Sequence, residues 1–130
     1  MKKVFFSLVF SFFAVLAFAK TPPQAVLNAF NQKFPGITDV DWSKEKNGEW
    51  EAEFDLNKGE VSANFAANGT WLETETELQF MDLPAPVKAA LKGKKVKEAA
   101  MILKSDGSTM YEAEVGKKDL LFDASGKALN

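Results

Sequence analysis

The chain has 130 residues, with 16 lysines, no arginine, 18 acidic residues and a formal net charge of −2 at pH 7. Histidine and cysteine are both absent, which excludes Ser-His-Asp and Cys-His nucleophiles, histidine-rich zinc sites, thiol redox chemistry and disulfides. The lack of arginine removes the side chain best suited to bidentate recognition of phosphates and base edges, so nucleic acid is not an expected partner.

Read from the start, residues 1–19 have the layout of an export signal. Lys2 and Lys3 precede an apolar run from Val4 to Phe18, and Ala17-Phe18-Ala19 is a small-x-small cleavage pattern. The run is short of the roughly 20 residues a spanning helix needs and contains Ser7 and Ser11. The expectation is a cleaved signal and a single domain over 20–130, periplasmic or secreted, with no stable membrane insertion. Charge along this domain is uneven. Residues 20–82 carry 5 lysines and 12 acids, a net −7, whereas 84–130 carry 9 lysines and 6 acids, a net +3. The basic run Lys92 to Lys97 reads as a solvated helix end, where cations suit the dipole.

The two parts align at a shift of 61 residues. Pro23 to Phe30 falls on Pro84 to Leu91, and "WEAEF" from Trp50 falls on "YEAEV" from Tyr111. After a loss of four residues the shift becomes 57, and "NFAANGTWL" from Asn64 lies on "LFDASGKAL" from Leu121. The repeats would span about 20–80 and 81–130. Each reads as one helix followed by antiparallel strands. Val26, Leu27 and Phe30 have helical spacing, with Thr21 as N-cap and Pro35-Gly36 as the stop; Asp82 is the corresponding cap in the second repeat. The fold class expected is α+β, a tandem repeat of helix plus antiparallel strands, with the helices packed on one face of the sheet.

Strand signals follow each helix. Val40 and Trp42 alternate with Asp39 and Asp41, Trp50, Ala52 and Phe54 with Glu51 and Glu53, and Val61, Ala63 and Phe65 with Glu60, Ser62 and Asn64. Asn68-Gly69 reads as a two-residue hairpin turn, with Ser125-Gly126 as its weaker copy. That register pairs Phe65 with Leu72 on the core side. On the outer face it gives the rows Glu51-Ala66-Trp71 and Glu53-Asn64-Glu73, and in the second repeat Glu112-Asp123-Ala128 and Glu114-Leu121-Asn130. Trp42, Trp50 and Tyr111 fall on the core side.

Alternate glutamates on a strand stand about 6.5–7 Å apart on one face, near the spacing of an inverting glycosidase. Any half-exposed strand with such glutamates shows that spacing, and catalysis needs one acid with a pKa raised in a cleft. Glu51 with Glu53, and Glu112 with Glu114, are therefore read as the wet side of matching strands, and no catalytic or cofactor-binding residue is assigned. Calcium is an alternative use for Glu51, Glu53, Asp55, Glu73 and Glu75, although flat sheet faces rarely converge six or more oxygens. Trp71 and Leu121 are apolar residues on the expected outer face. They either pack against a loop or the C-terminal strand, or anchor a partner. The candidate partner-binding set is Trp71, Glu51, Glu53, Glu73, Leu121, Glu112 and Glu114, with no metal ligand among them. The partner expected is a protein or peptide of basic character, steered by the −7 of the first repeat; the alternative is a calcium- or small-ligand-binding envelope protein.

The segments "WEAEF", "FAANGTWL" and "YEAEVGKKDLLFDASGKAL", led by "DVDWSKEKNGEWEAEF", resemble PepSY-like, beta-lactamase-inhibitor-protein-like (BLIP-like) domains of exported Bacteroidetes-type proteins. The shared pattern is an aromatic-acid-small-acid strand, a loop, and a strand ending in F-D-x-x-G, here Phe65 to Gly69 and Phe122 to Gly126. Ala66 stands in the first copy where the second has Asp123. The resemblance implies a curved antiparallel sheet and a role in binding or restraining another protein, and it carries over no catalytic residue.

Overall fold

A computed structural model of the protein describes residues 21–57 and 59–130. The stretch read as an export signal lies outside the described residues. The first helix, α1, runs from Gln24 to Lys33 and buries Val26 and Phe30, one turn apart, against the sheet. It starts at Pro23, whose carbonyl accepts from the N–H groups of Val26 and Leu27. The second helix, α2, spans Ala85–Ala90 and starts in the same way at Pro84. Neither helix has a side-chain cap, so the caps expected at Thr21 and Asp82 are corrected. The proline carbonyls and fixed φ open both helices, and Asp82 instead belongs to a single 3-10 turn, Phe80–Asp82.

The strands are β1 (Asp41–Lys44), β2 (Trp50–Leu56), β3 (Gly59–Phe65), β4 (Trp71–Leu78), β5 (Val96–Lys104), β6 (Thr109–Val115) and β7 (Lys118–Phe122). They form one antiparallel meander in chain order. The helices cover one face over two clusters. Around α1 lie Phe30, Trp50, Ala52, Phe54, Val61, Ala63 and Phe65, with Trp42 and Trp71 packed against them. Around α2 lie Leu83, Val87, Leu91, Ala99, Ala113 and Phe122, with Tyr111 at the margin. Phe30 meets Trp42, Phe54 and Phe65 edge-on at centroid distances of 5.1–6.3 Å. Such contacts add about 0.5–1.5 kcal/mol each beyond area burial.

One turn chemistry recurs at three hairpins and at the C-terminal return. Gly48, Gly69, Gly107 and Gly126 have φ of +83° to +91° and donate to the carbonyls of Glu45, Ala66, Lys104 and Asp123, three residues earlier. Asn47, Asn68 and Asp106 precede the first three glycines and accept from the N–H two residues on. Asn68-Gly69 is therefore the end of a four-residue turn, Ala66 to Gly69, closed by the Ala66 N–H donating to Thr70 O. This corrects the expected two-residue turn. Both turn types place glycine in the left-handed region, so the dipeptide alone does not separate them.

The register changes accordingly. Phe65 pairs with Trp71 rather than Leu72, and a bulge restores Asn64 opposite Glu73. Trp71 thus lies on the helix face, not outside. Its ring lies 3.5 Å beneath the Lys33 ammonium, and its Nε1–H donates to Thr74 Oγ1. At the β2–β3 turn Leu56 pairs with Gly59, so Glu51 faces Asn64 and Glu53 faces Ser62, in place of Ala66 and Asn64. In the second half Glu112 faces Leu121 and Glu114 faces Asp119, in place of Asp123 and Leu121.

Candidate functional site: the acidic face of the sheet

Alternation along each strand determines what stands opposite the helices. Glu51 and Glu53 on β2, Glu73, Glu75 and Glu77 on β4, and Glu112 and Glu114 on β6 all point to this outer face. Between them, β3 contributes Ser62 and Asn64, β5 contributes Ala100 and Ile102, and β7 contributes Asp119 and Leu121. Six of the seven sequence-predicted residues therefore share one face, and Trp71 is on the other. Lys104 is the only lysine that the strand register sets here among the described residues, and its Nζ donates to Glu73 Oε2 at 2.7 Å.

The centre of this face is not wet. Glu51, Glu75 and Glu112 are only 4%, 3% and 5% exposed, and Ser62 and Asn64 are buried beside them. Asp119 on β7 raises the pKa of Glu75 on β4, although three strand spacings separate them, about 14 Å on a flat sheet. The side chains of this face reach across the strands and close over the middle. Reading the Glu-Ala-Glu strands as solvated is corrected by this burial: an edge residue such as Asp55 stays exposed while the central glutamates do not.

Burial also sets the protonation. Loss of hydration, followed by neighbouring Glu53 and Glu45, pushes Glu51 up to about 9. Loss of hydration followed by Glu73, Asp119, Glu60 and Glu53 raises Glu75 to about 8. Glu112 reaches about 9 through burial and then Glu75, Asp119 and Glu114. Glu60 at the rim rises to about 7, first by desolvation and then through Glu53, Glu77, Asp55 and Glu98. At neutral pH the three central glutamates are thus carboxylic acids. Glu51 Oε2, Ser62 Oγ, Glu75 Oε1 and Glu112 Oε2 are buried without a hydrogen-bond partner. Each such group costs about 1–3 kcal/mol in the free protein.

Among the described residues no cluster of three or more acids is arranged to hold a metal ion. Where the outer face meets the hairpin turns there is a cleft of about 420 Å³, lined by Asn64, Glu73 and Lys104 together with Asn47, Asp106 and Ser108 from two turns. Sequence reasoning missed Ser62 and Asp119 as site residues. Their small or isolated side chains carry no motif, and only the pairing of β3 with β4 and of β6 with β7 brings them to the glutamates.

Solved structures share this architecture. A DUF2874 family protein from Bacteroides ovatus has a TM-score of 0.78 at 24% identity, over 85% of this chain and 86% of that one. A structure described as "putative periplasmic proteins" from Bacteroides eggerthii has a TM-score of 0.79 at 20% identity, over 85% and 88%. A BLIP-like protein from Bacteroides fragilis has a TM-score of 0.73 at 26% identity, over 85% of each chain. No curated protein matches the sequence. Residues 49–130, which hold six of the seven strands, match the family described as "Putative beta-lactamase-inhibitor-like, PepSY-like". The match covers more than half of the chain, and the chain belongs to the PepSY-like, beta-lactamase-inhibitor-like family.

Proposed function

We propose that the protein is an exported, non-enzymatic binding module whose acidic sheet face takes a basic segment of another protein. The observation that carries this reading is the set of buried carboxyl groups, each with one oxygen that lacks a partner, at the centre of a face that no described helix covers. Native structures rarely retain unsatisfied buried groups without a use for them. The rim adds Glu53, Glu60, Glu73, Glu77, Glu98 and Glu114, whose combined charge draws a basic segment to this face. Periplasmic placement is supported by the Bacteroides eggerthii neighbour's description. It is also compatible with the described residues, in which no helix is long and apolar enough to cross a membrane. An inhibitor-like role is supported by the family description and by the BLIP-like neighbour.

The same reading takes the two halves as copies of one unit. A Cβ on Gly69 would lie 2.6 Å from the carbonyl oxygen of Ala25 in α1, and one on Gly126 would lie 2.5 Å from that of Pro86 in α2. The same close approach of hairpin to helix thus occurs in both halves.

The test is affinity capture from a bacterial envelope extract with the wild type and with Glu53→Gln/Glu73→Gln/Glu114→Gln. Loss of a captured protein with the triple variant, and its retention with Trp71→Ala, is the expected result. Equal capture by the triple variant would remove the outer face from consideration. A second reading, a small polar ligand in the cleft beside the Glu73–Lys104 pair, predicts thermal stabilisation by that ligand without any protein partner.

A further inference from the structure

We infer that the centre of the outer face is a receptor for a single cationic side chain, an arginine or lysine of the partner, held between Glu75 and Glu112. The inference rests on the binding-module reading and specifies the chemistry of its site. Glu75 stands on β4 and Glu112 on β6, and the strand between them presents Ala100 and Ile102 to this face. Glu112 pairs with the small Ala100 and Glu75 with Ile102, so the two carboxyl groups stand on a diagonal across β5, close enough for Glu75 to act on Glu112. Both are at least nine-tenths buried, and each has one oxygen with no hydrogen-bond partner. Ser62 Oγ, beside Glu75 across the β3–β4 ladder, is a third unsatisfied oxygen. The apolar flank of Ile102 and Leu121, both buried, suits the aliphatic stem of a long basic side chain.

This arrangement is acceptor-rich, and Lys104 on the same face is already bonded to Glu73. A guanidinium or ammonium brings only donors, three on lysine and five on arginine, which matches the three unsatisfied oxygens. A metal ion is a poorer occupant, since no group of three acids among the described residues is arranged for one. The groups that raise Glu75 and Glu112 most are acidic: Glu53, Glu60, Glu73, Glu114 and Asp119, with Glu75 itself acting on Glu112. Insertion of a cation therefore favours ionisation of the two glutamates, and protons leave to bulk solvent as it enters.

The experiment is isothermal titration calorimetry near pH 7, in two buffers of different ionisation enthalpy. The probes are a synthetic peptide of alternating arginine and serine and its citrulline counterpart, and the proteins are the wild type, Glu75→Gln/Glu112→Gln and Glu53→Gln/Glu114→Gln. The arginine peptide is expected to bind the wild type with net proton release and at least ten-fold more tightly than the citrulline peptide. Glu75→Gln/Glu112→Gln, with its folding checked by thermal melting, should lose at least ten-fold in affinity and all proton release. The rim variant should lose less, and only at low salt. Equal binding of the two peptides, no binding of the arginine peptide, or unchanged binding by a folded Glu75→Gln/Glu112→Gln would each overturn the inference. Capture of the envelope protein separates it from the broader reading. If Glu75→Gln/Glu112→Gln still captures what the rim triple variant loses, the face binds its partner without this receptor. If no variant loses it, both readings fall.

Discussion

The two halves of the sheet, proposed above as copies of one unit, are filled differently. The half built on α1 has an aromatic core, in which Phe30, Phe34, Trp42, Phe54 and Phe65 touch ring to ring. The half built on α2 has a mainly aliphatic core of Leu83, Val87 and Leu91, with Phe122 as its one buried aromatic ring. The helices match this difference, since α1 is ten residues long and α2 only six. The β2–β3 hairpin has seven residue pairs and β6–β7 five, so the four-residue difference removes two from each strand and leaves every side chain on its own face. Outside, the first half offers Glu51, Ser62, Asn64 and Glu75, and the second intersperses Glu112 with Ala100, Ile102 and Leu121. On the proposed repeat, one frame tolerates two cores and two surfaces, because glycine turns and strand alternation recur in both halves while the core residues differ.

The largest expected contrast lies in the cores. Phe30→Ala should cost about 3–5 kcal/mol and Leu91→Ala about 2–5 kcal/mol, with Phe30 the larger because it also loses three edge-on ring contacts. Urea denaturation compares them directly, and a greater loss at Leu91 would reverse this ranking of the halves.

Next comes the likeness of the two glycine approaches. Gly69→Ala and Gly126→Ala should each destabilise by more than about 1 kcal/mol, since the left-handed φ and a helix carbonyl both oppose a Cβ. Similar losses in the two variants would support equal helix docking in the two halves. A silent Gly126→Ala would show that the short α2 yields where α1 does not.

The acidic face supplies a pH-dependent contrast. Glu51, Glu75 and Glu112 keep their protons in the folded state up to about 9, 8 and 9, whereas the unfolded chain loses them near 4.5. The folded state therefore binds more protons between these values, and stability should fall as pH rises from about 4.5 to 9. Glu75→Gln and Glu112→Gln should each melt higher than the wild type at pH 9 and close to it at pH 4.5. A wild-type urea midpoint that rises over this range would contradict the protonated state assigned to these acids.

The smallest effect concerns the Glu73–Lys104 pair that ties β4 to β5 across the two halves. It is partly exposed, so Lys104→Met should cost only about 0.2–1 kcal/mol, and high salt should narrow the difference. A double-mutant cycle with Glu73→Gln measures it.

Much of the molecule is legible in the amino-acid order. Period-two alternation places Trp50, Ala52 and Phe54 inward and Glu51 and Glu53 outward, and it does the same for Tyr111 to Val115, because a strand offers only two faces. Proline followed by helically spaced apolar residues marks both helices, and the F-D-x-x-G segments mark the family. The resemblance itself rests on such local patterns. Register and burial were not legible in this way. Asn68-Gly69 is compatible with two turn lengths, and the longer one carries Trp71 from the outer face to the core, beside Lys33. The close fit of Gly69 against Ala25 in α1 shows what that choice satisfies, a contact between segments more than forty residues apart. Likewise, Glu51 and Glu112 look solvated along the chain and become buried acids only when the sheet assembles and brings side chains of β4, β6 and β7 within electrostatic reach. Local sequence sets which face a side chain takes, since that depends on its own backbone. Only the tertiary structure sets how much water reaches that face, since this depends on side chains from strands distant in the chain.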